Sequence, residues 1–261
     1  MKKIIIILAI AISILSCQKT EETPKSSTPA LNPVQKQWGL VIEYTAKWCG
    51  PCGDWGAPTM HDLTTSSPYV VGIADHASGD PMYNAALYSS FEDDRTDGGG
   101  IPAFWIGDNK TTSASALTTI LGKTATAAID LNFTKTATAM TVNTQTKFFT
   151  ATSGDYYLSV LLLESGIDGG TSATSDYQQN GTSDPNFKHE HVLRASAVAG
   201  KSYGESIISG AITTGKTVNK TYTIAIDPSW KKTLYPCAIL WKYEAGSTAP
   251  VYKFVNCIEK K

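Results

Sequence analysis

The stretch LVIEYTAKWCGPC, residues 40–52, decides how this chain is interpreted. Its first five residues, 40–44, form a β-rich apolar run, and two cysteines separated by two residues follow shortly after it. Because residues 52–65 can form a helix, we expect the cysteine pair where a strand ends and a helix begins. The unpaired N–H groups and the dipole of a helix start favour the thiolate form of the first cysteine. We therefore predict that Cys49 is a nucleophile and that Cys52 resolves the mixed disulfide.

Other uses of this cysteine pair have to be considered. A structural zinc site takes four nitrogen or sulfur ligands, but the chain has no second closely spaced cysteine pair and its four histidines are scattered. We therefore predict neither a metal site nor a cofactor. His76 could assist proton transfer, although a loop histidine without a role is the preferred interpretation. An inert structural disulfide between Cys49 and Cys52 stays open as the alternative to a redox site.

The two halves of the chain have different patterns. From about residue 38 to residue 130, β-like and helix-like segments alternate, which is typical of a mostly parallel α/β sheet. The expected strands are 40–44, 69–74 and 103–106. The expected helices are 52–65, 81–93 after the cap residue Asp80, and one that Ser113 caps and that ends at about residue 128. From about residue 131 the helical signals vanish and short β-runs alternate with turn residues, which predicts an antiparallel sandwich.

The motif at residues 48–52 resembles that of the thioredoxins. The predicted fold class is therefore an α/β thioredoxin-like domain, 34–130, followed by an all-β immunoglobulin-like sandwich domain, 131–261. The resemblance also implies that Glu43, six residues before the first cysteine, relays a proton to the second. It implies that Pro102 forms a cis peptide bond that faces the disulfide and offers backbone to an extended substrate. A surface carboxylate and an ordinary trans proline are the alternatives for these two residues.

The N-terminus has the pattern of a secretory signal. Two lysines precede an apolar run, residues 4–15, which is too short to span a bilayer because spanning takes roughly 20 residues. We predict that residues 1–16 are a signal peptide. Residues 14–17 resemble the lipobox of bacterial lipoproteins, which implies that Cys17 is acylated; an ordinary signal followed by a chance cysteine is the alternative. Residues 17–33, rich in Thr, Ser and Pro, are expected to be a disordered tether after the anchor.

A lipid anchor implies a place in the cell envelope, where thiols are oxidised. The acidic stretch after the acylated cysteine, 18–22, looks like an export tag to the outer membrane, with display on the cell surface as the further expectation. Nearly the whole mature chain resembles the 28-kDa outer-membrane lipoprotein family. This resemblance lies in residues 43–52, 79–81, 101–102 and 191–194. The net charge is −1 and there is no basic block, so no nucleic acid partner is expected.

The last two cysteines suggest a second disulfide. If the two β-runs on either side of residues 243–250 form a hairpin centred on Ser247, Cys237 lies opposite Cys257 on an apolar face. A non-hydrogen-bonded antiparallel pair brings Cα atoms to roughly 4.5 Å, which allows a disulfide. We predict a structural Cys237–Cys257 bridge, with two reduced core thiols as the alternative.

Two functions follow from these patterns. The first is a thiol–disulfide oxidoreductase that acts on cysteine-containing polypeptides and is tethered to the membrane by its lipid. In that function Cys49 attacks, Cys52 resolves, Glu43 moves the proton and Pro102 holds the substrate backbone. The second is a non-enzymatic surface lipoprotein, in which the disulfide of the CxxC motif is part of a binding or structural scaffold.

Overall fold

The structure, a computed structural model, describes residues 30–169, 184, 186–246 and 248–261. The predicted signal peptide, Cys17 and most of the predicted tether therefore lie outside the described residues. The described helices are α1 (Ala57–Thr65), α2 (Ala85–Glu92) and α3 (Ala114–Leu121), and a π-helical turn, Cys52–Gly56, leads directly into α1. Across the described ranges, none of the helices has both the length and the apolar character that a membrane span requires.

Sixteen strands make up most of the regular structure of the described chain. The first four are β1 (Gly39–Thr45), β2 (Val70–His76), β3 (Ala103–Ile106) and β4 (Asn109–Lys110). The next six are β5 (Ala127–Lys135), β6 (Ala139–Phe148), β7 (Thr152–Ser153), β8 (Asp155–Ser165), β9 (Ile167–Asp168) and β10 (Lys188–His189). The last six are β11 (Val192–Ser196), β12 (Glu205–Ile208), β13 (Ala211–Ile212), β14 (Thr217–Ala225), β15 (Thr233–Tyr243) and β16 (Tyr252–Glu259).

One sheet joins strands from both halves of the chain. Its order is β16-β15-β8-β11-β2-β1-β3-β4, and β12 also pairs with β8. The sheet is mixed, because β1 runs parallel to β2 and antiparallel to β3. The predicted α/β thioredoxin-like domain followed by an all-β immunoglobulin-like sandwich is therefore wrong as a fold class. The described chain is mostly β, and its three α-helices have only eight or nine residues each.

This error arose because the sequence does not show which strand pairs with the second edge of β2. Alternation of apolar residues shows which segments are strands, but it does not show which edges pair. The N–H of Ala74 in β2 donates to the carbonyl of His191 at 2.8 Å, and Val192 of β11 lies opposite Ala74 in a parallel pair. The second half of the chain thus extends the sheet that the first half begins.

A second layer covers the far half of this sheet. The three strands β14-β6-β5 form a separate antiparallel sheet. Its apolar side chains, among them Leu131 and Val142, share one core cluster with Leu158 and Val160 of β8. Residue 130, where the sequence analysis divides the chain, lies within β5. The division into two domains stays a prediction.

The side chain of Arg95, just beyond α2, contacts residues from both halves of the chain. The side chain is fully buried, and its guanidinium donates to the carboxylates of Asp94 at 2.9 Å and Asp108 at 2.7 Å. It also donates to the hydroxyl of Tyr203 at 3.1 Å and lies 4.5 Å from the ring centroid of Trp241. Because buried charges are costly unless they are paired, these contacts stabilise the buried guanidinium and connect the segment after α2 with Trp241 of β15.

The predicted Cys237–Cys257 bridge is wrong, because both residues are free, buried thiols. Cys237 lies opposite Glu259, and Cys257 lies opposite Ile239. The turn of the hairpin lies slightly further along the chain than predicted, which shifts the pairing by one residue, and a β-bulge after Leu240 shifts it by one more. Burial raises the pKa of both thiols, so they stay protonated.

The cysteine motif lies over β1. All seven residues of β1 are buried, as expected for a strand that is covered on both faces. Val41 packs with Met60 and Leu63 of α1 on one face. Glu43 shares this face because successive side chains of a strand alternate. This arrangement places Glu43 beneath the π-helical turn that carries Cys52.

Candidate functional site

Cys49 and Cys52 form a disulfide between the end of β1 and the π-helical turn. Their Cα atoms are 5.2 Å apart. Cys52 is fully buried, whereas Cys49 retains 4% of its exposed surface and lines a groove at the surface. A substrate in this groove would therefore meet the sulfur of Cys49 and not that of Cys52.

Two backbone groups lie against the sulfur of Cys49. The N–H of Cys52 donates to Cys49 Sγ at 3.1 Å, a contact that would stabilise a thiolate after reduction. The carbonyl oxygen of Ile101 lies 3.6 Å from the same sulfur, and the Ile101–Pro102 peptide bond is cis. The segment that contains Pro102 therefore faces the disulfide.

The groove beside Cys49 has a volume of about 460 Å³. Trp48, Tyr88 and Asp97 are among the residues that line it. The indole N–H of Trp48 donates to the Ser78 carbonyl at 3.1 Å, which holds the half-exposed ring at the rim. The hydroxyl of Tyr88 donates to the Asp97 carboxylate at 2.7 Å. The groove leaves Cys49 open to a molecule at the surface.

The π-helical turn brings three parts of the site together at Gly56. The N–H of Ala57 donates to the carbonyl of Cys52, which adds one residue to the turn compared with an α-helix. A Cβ atom at Gly56 would lie 2.8 Å from Glu43 Oε1 and 3.0 Å from the Cβ of Pro102. Since these contacts are closer than ordinary packing, a side chain at Gly56 would displace the buried carboxyl or the cis proline, and glycine lets the helix start pack closely against both.

Glu43 is a buried carboxyl that can exchange protons near neutral pH. It is 2% exposed, and its Oε1 atom has no hydrogen-bond partner among the described residues. Burial raises the pKa of Glu43 to about 8, although the hydrogen bond with Thr45 acts in the opposite direction. A group with a pKa close to the working pH can both accept and release a proton, as a general acid or base must.

Asp80 holds the loop after β2 in place. Its carboxylate lies 2.8 Å from Nδ1 of buried His76 and accepts the backbone N–H groups of Lys47 at 2.6 Å and Met82 at 2.8 Å. Burial alone would raise the pKa of Asp80, but the hydrogen bond with His76, the positive charge that His76 carries when it is protonated and these N–H groups lower it to about 2. Asp80 is not the cap of the next helix as predicted, because α2 begins later and Asn84 caps it.

The structure brings together the four predicted site residues, Cys49, Cys52, Glu43 and Pro102. Tyr88 and Asp97, which also line the groove, were not predicted, because nothing in a lone tyrosine or aspartate marks such a position. The three glycines at 98–100, directly before the proline segment, were the available signal for a loop that approaches the site. Among the described residues, no three histidine, cysteine or acidic side chains are grouped so as to hold a metal ion.

Comparisons with known proteins give a likeness in fold. No family model and no curated protein matches this chain. The chain is similar in structure to HBP35 of Porphyromonas gingivalis, with a TM-score of 0.67, 16% identity, and coverage of 88% of this chain and 76% of that one. A structural-genomics target from Agrobacterium tumefaciens gives a TM-score of 0.48 at 12% identity, with coverage of 87% and 95%. At 16% identity, the likeness to HBP35 concerns the fold alone. The likeness to the second protein is too weak to support a conclusion.

Proposed function

We propose that this chain is a thiol–disulfide oxidoreductase that acts on cysteine-containing polypeptides. The observation that carries the proposal is the asymmetry of the CxxC site. Cys49 borders the groove and accepts a backbone N–H at its sulfur, whereas Cys52 is fully buried in the turn that packs against Glu43 through Gly56. An attacking thiol must be reachable and ionisable, and a resolving thiol needs a nearby proton acceptor.

The reaction uses these groups in order. In the reducing direction, the Cys49 thiolate attacks a substrate disulfide, forms a mixed disulfide and releases one substrate thiolate. Glu43 then accepts the proton of the Cys52 thiol, and the Cys52 sulfur attacks Cys49 Sγ. This step forms the Cys49–Cys52 disulfide and releases the second substrate thiolate. The backbone around Pro102 would hold the extended substrate beside the sulfur.

The cellular setting is part of the proposal. The N-terminal pattern and the acidic residues that follow Cys17 favour a lipoprotein of the outer membrane, displayed on the cell surface, with its lipid as the membrane contact. The same pattern favours membership of the 28-kDa outer-membrane lipoprotein family. Cysteine-containing polypeptides of an oxidising envelope are the partners that fit this location.

A second function is a non-enzymatic surface lipoprotein in which the CxxC disulfide is a scaffold element. The low exposure of Cys49, 4%, favours it, because a sulfur that is rarely accessible reacts slowly. In that case the disulfide would hold the start of the helix against β1 and would take no part in thiol–disulfide exchange.

The reduction potential of the CxxC pair separates these functions. Catalytic pairs lie between about −120 and −270 mV, and structural disulfides lie below about −300 mV. We expect a value in the catalytic range, measured by equilibration with glutathione. A Cys52→Ala variant should accumulate mixed disulfides with polypeptides in cells, and Cys49→Ala should accumulate none. A potential below about −300 mV together with empty Cys52→Ala traps would refute the oxidoreductase.

A further inference from the structure

A cavity larger than the groove lies beside the residues that follow Cys52, among them Gly53 and Ala57. Its volume is about 710 Å³, enough for several water molecules, and Glu43 lines it. Cys49 lines the groove instead, and none of the described residues lines both spaces. A substrate in the groove would therefore not block the route between Glu43 and water in the cavity.

All four histidines of the chain line this cavity, although they are far apart in sequence. Among them, His76 is the one that belongs to a strand paired with β1. It ends β2 directly opposite Thr45, two residues beyond Glu43 on the same face of β1. Thr45 in turn hydrogen-bonds with the carboxyl of Glu43. Glu43, Thr45 and His76 thus form a short polar row on one face of two neighbouring strands.

The partner of His76 prepares it to receive a proton. Nδ1 of His76 lies 2.8 Å from the Asp80 carboxylate, and because that carboxylate is ionised, Nδ1 is the nitrogen that donates. Nε2 is then the nitrogen that can accept a proton from cavity water, and the carboxylate of Asp80 stabilises the resulting imidazolium. The ring of His189 lies 5.4 Å from that of His76, at the same wall of the cavity.

We propose that, in the thiol–disulfide exchange proposed above, on which this inference rests, the proton taken up by Glu43 leaves through the histidine-lined cavity by way of His76. Glu43 takes the proton of the Cys52 thiol as the Cys52 sulfur attacks Cys49 Sγ and the substrate thiolate departs. The Glu43 carboxyl then passes this proton through cavity water to Nε2 of His76, which releases it to solvent. The two electrons go to the substrate disulfide, and His76 acts through Glu43 as a positioning residue.

Dithiobis-nitrobenzoate, an aromatic disulfide with a coloured thiolate, separates the two steps. The reduced mature chain, with Cys17→Ser so that the anchor thiol does not react, should release one coloured thiolate when Cys49 attacks and a second when Cys52 resolves. In His76→Gln we expect the first release within about twofold of wild type. The second should be slower by roughly tenfold or more, since a positioned acid or base is worth about 10²–10⁴-fold and Glu43 is still present. Added imidazole should restore the second release.

His61→Gln is the matched histidine change, on the exposed side of α1. An equal loss in His61→Gln, or an unchanged second release in folded His76→Gln, would overturn the route through His76. If His76→Gln fails to fold, Ala57→Leu narrows the cavity without touching the His76–Asp80 pair. This variant should slow the second release without rescue by imidazole, and a normal rate would overturn the proposal. A wild-type chain that gives no first release would refute the proposed function itself.

Discussion

Replacing Glu43 by Gln should remove a pH-dependent loss of stability. In the unfolded chain this carboxyl has its ordinary pKa of 4.5, whereas burial raises the pKa in the folded chain to about 8. The stabilising contribution of the protonated group is therefore complete below pH 4.5 and is lost as the pH rises through 8. At about 1.36 kcal/mol per pKa unit, the loss is about 1 kcal/mol at pH 5 and about 5 kcal/mol at pH 9.

The assay is urea unfolding of the oxidised wild-type and Glu43→Gln chains at pH 5, 7 and 9. Glutamine does not ionise, so only wild type loses this stability as the pH rises. The difference in free energy of unfolding, variant minus wild type, should therefore increase by roughly 4 kcal/mol between pH 5 and pH 9. Glu244→Gln changes a carboxylate whose side chain is 41% exposed, and its difference from wild type should change by less than about 1 kcal/mol. If the difference between Glu43→Gln and wild type changed as little with pH as that of Glu244→Gln, Glu43 would not be desolvated. The proton-transfer reasoning would then fail as well.

Other parts of the structure give three further predictions. With the anchor cysteine replaced, alkylation and mass spectrometry of the oxidised chain should detect two free thiols after unfolding and almost none before, because Cys237 and Cys257 are buried. If the unfolded chain took up no label, the two cysteines would be bridged. In urea unfolding, Arg95→Met should lower the free energy of unfolding by about 3–5 kcal/mol, because it leaves buried carboxylates unpaired. Lys220→Met, at a partly exposed ion pair, should lower it by less than about 1 kcal/mol. Equal losses in the two variants would contradict the burial argument. Gly56→Ala should cost about 1–3 kcal/mol in urea unfolding, since its Cβ would press on the buried carboxyl and the cis proline, and an unchanged midpoint would show that the packing there is loose.

The local features of the site could be predicted because they depend on short stretches of chain. An apolar run followed by WCGPC places the cysteine pair at the end of a strand whatever the rest of the chain does. The place of Glu43 behind the motif was implied by the likeness to the thioredoxins. In the structure its side chain shares the helix-covered face of β1 with Val41, because strand side chains alternate with a period of two. The one-residue extension in the π-helical turn was not predictable, since its pattern of apolar residues differs little from that of an α-helix.

Long-range pairing was not predictable for a physical reason. The edge of β2 offers N–H and C=O groups to any strand that can reach it, and local alternation does not say that β11 is that strand. The same limit explains the error at Cys237 and Cys257. A shift of the turn and one bulge moved the pairing by two residues, which kept both cysteines on the buried face but removed them from bonding distance.

By itself the sequence showed the basic and apolar pattern of the N-terminus and the cysteine pair at a strand end. Each depends on residues that are neighbours along the chain, where periodicity and spacing act directly. Only the tertiary structure decided that the halves share one mixed sheet, that the last two cysteines are free, and that four distant histidines surround the cavity behind Glu43. These features come from the packing of segments that compete for the same sheet edges and faces, and that competition is resolved by the free energy of the whole chain rather than by any one segment.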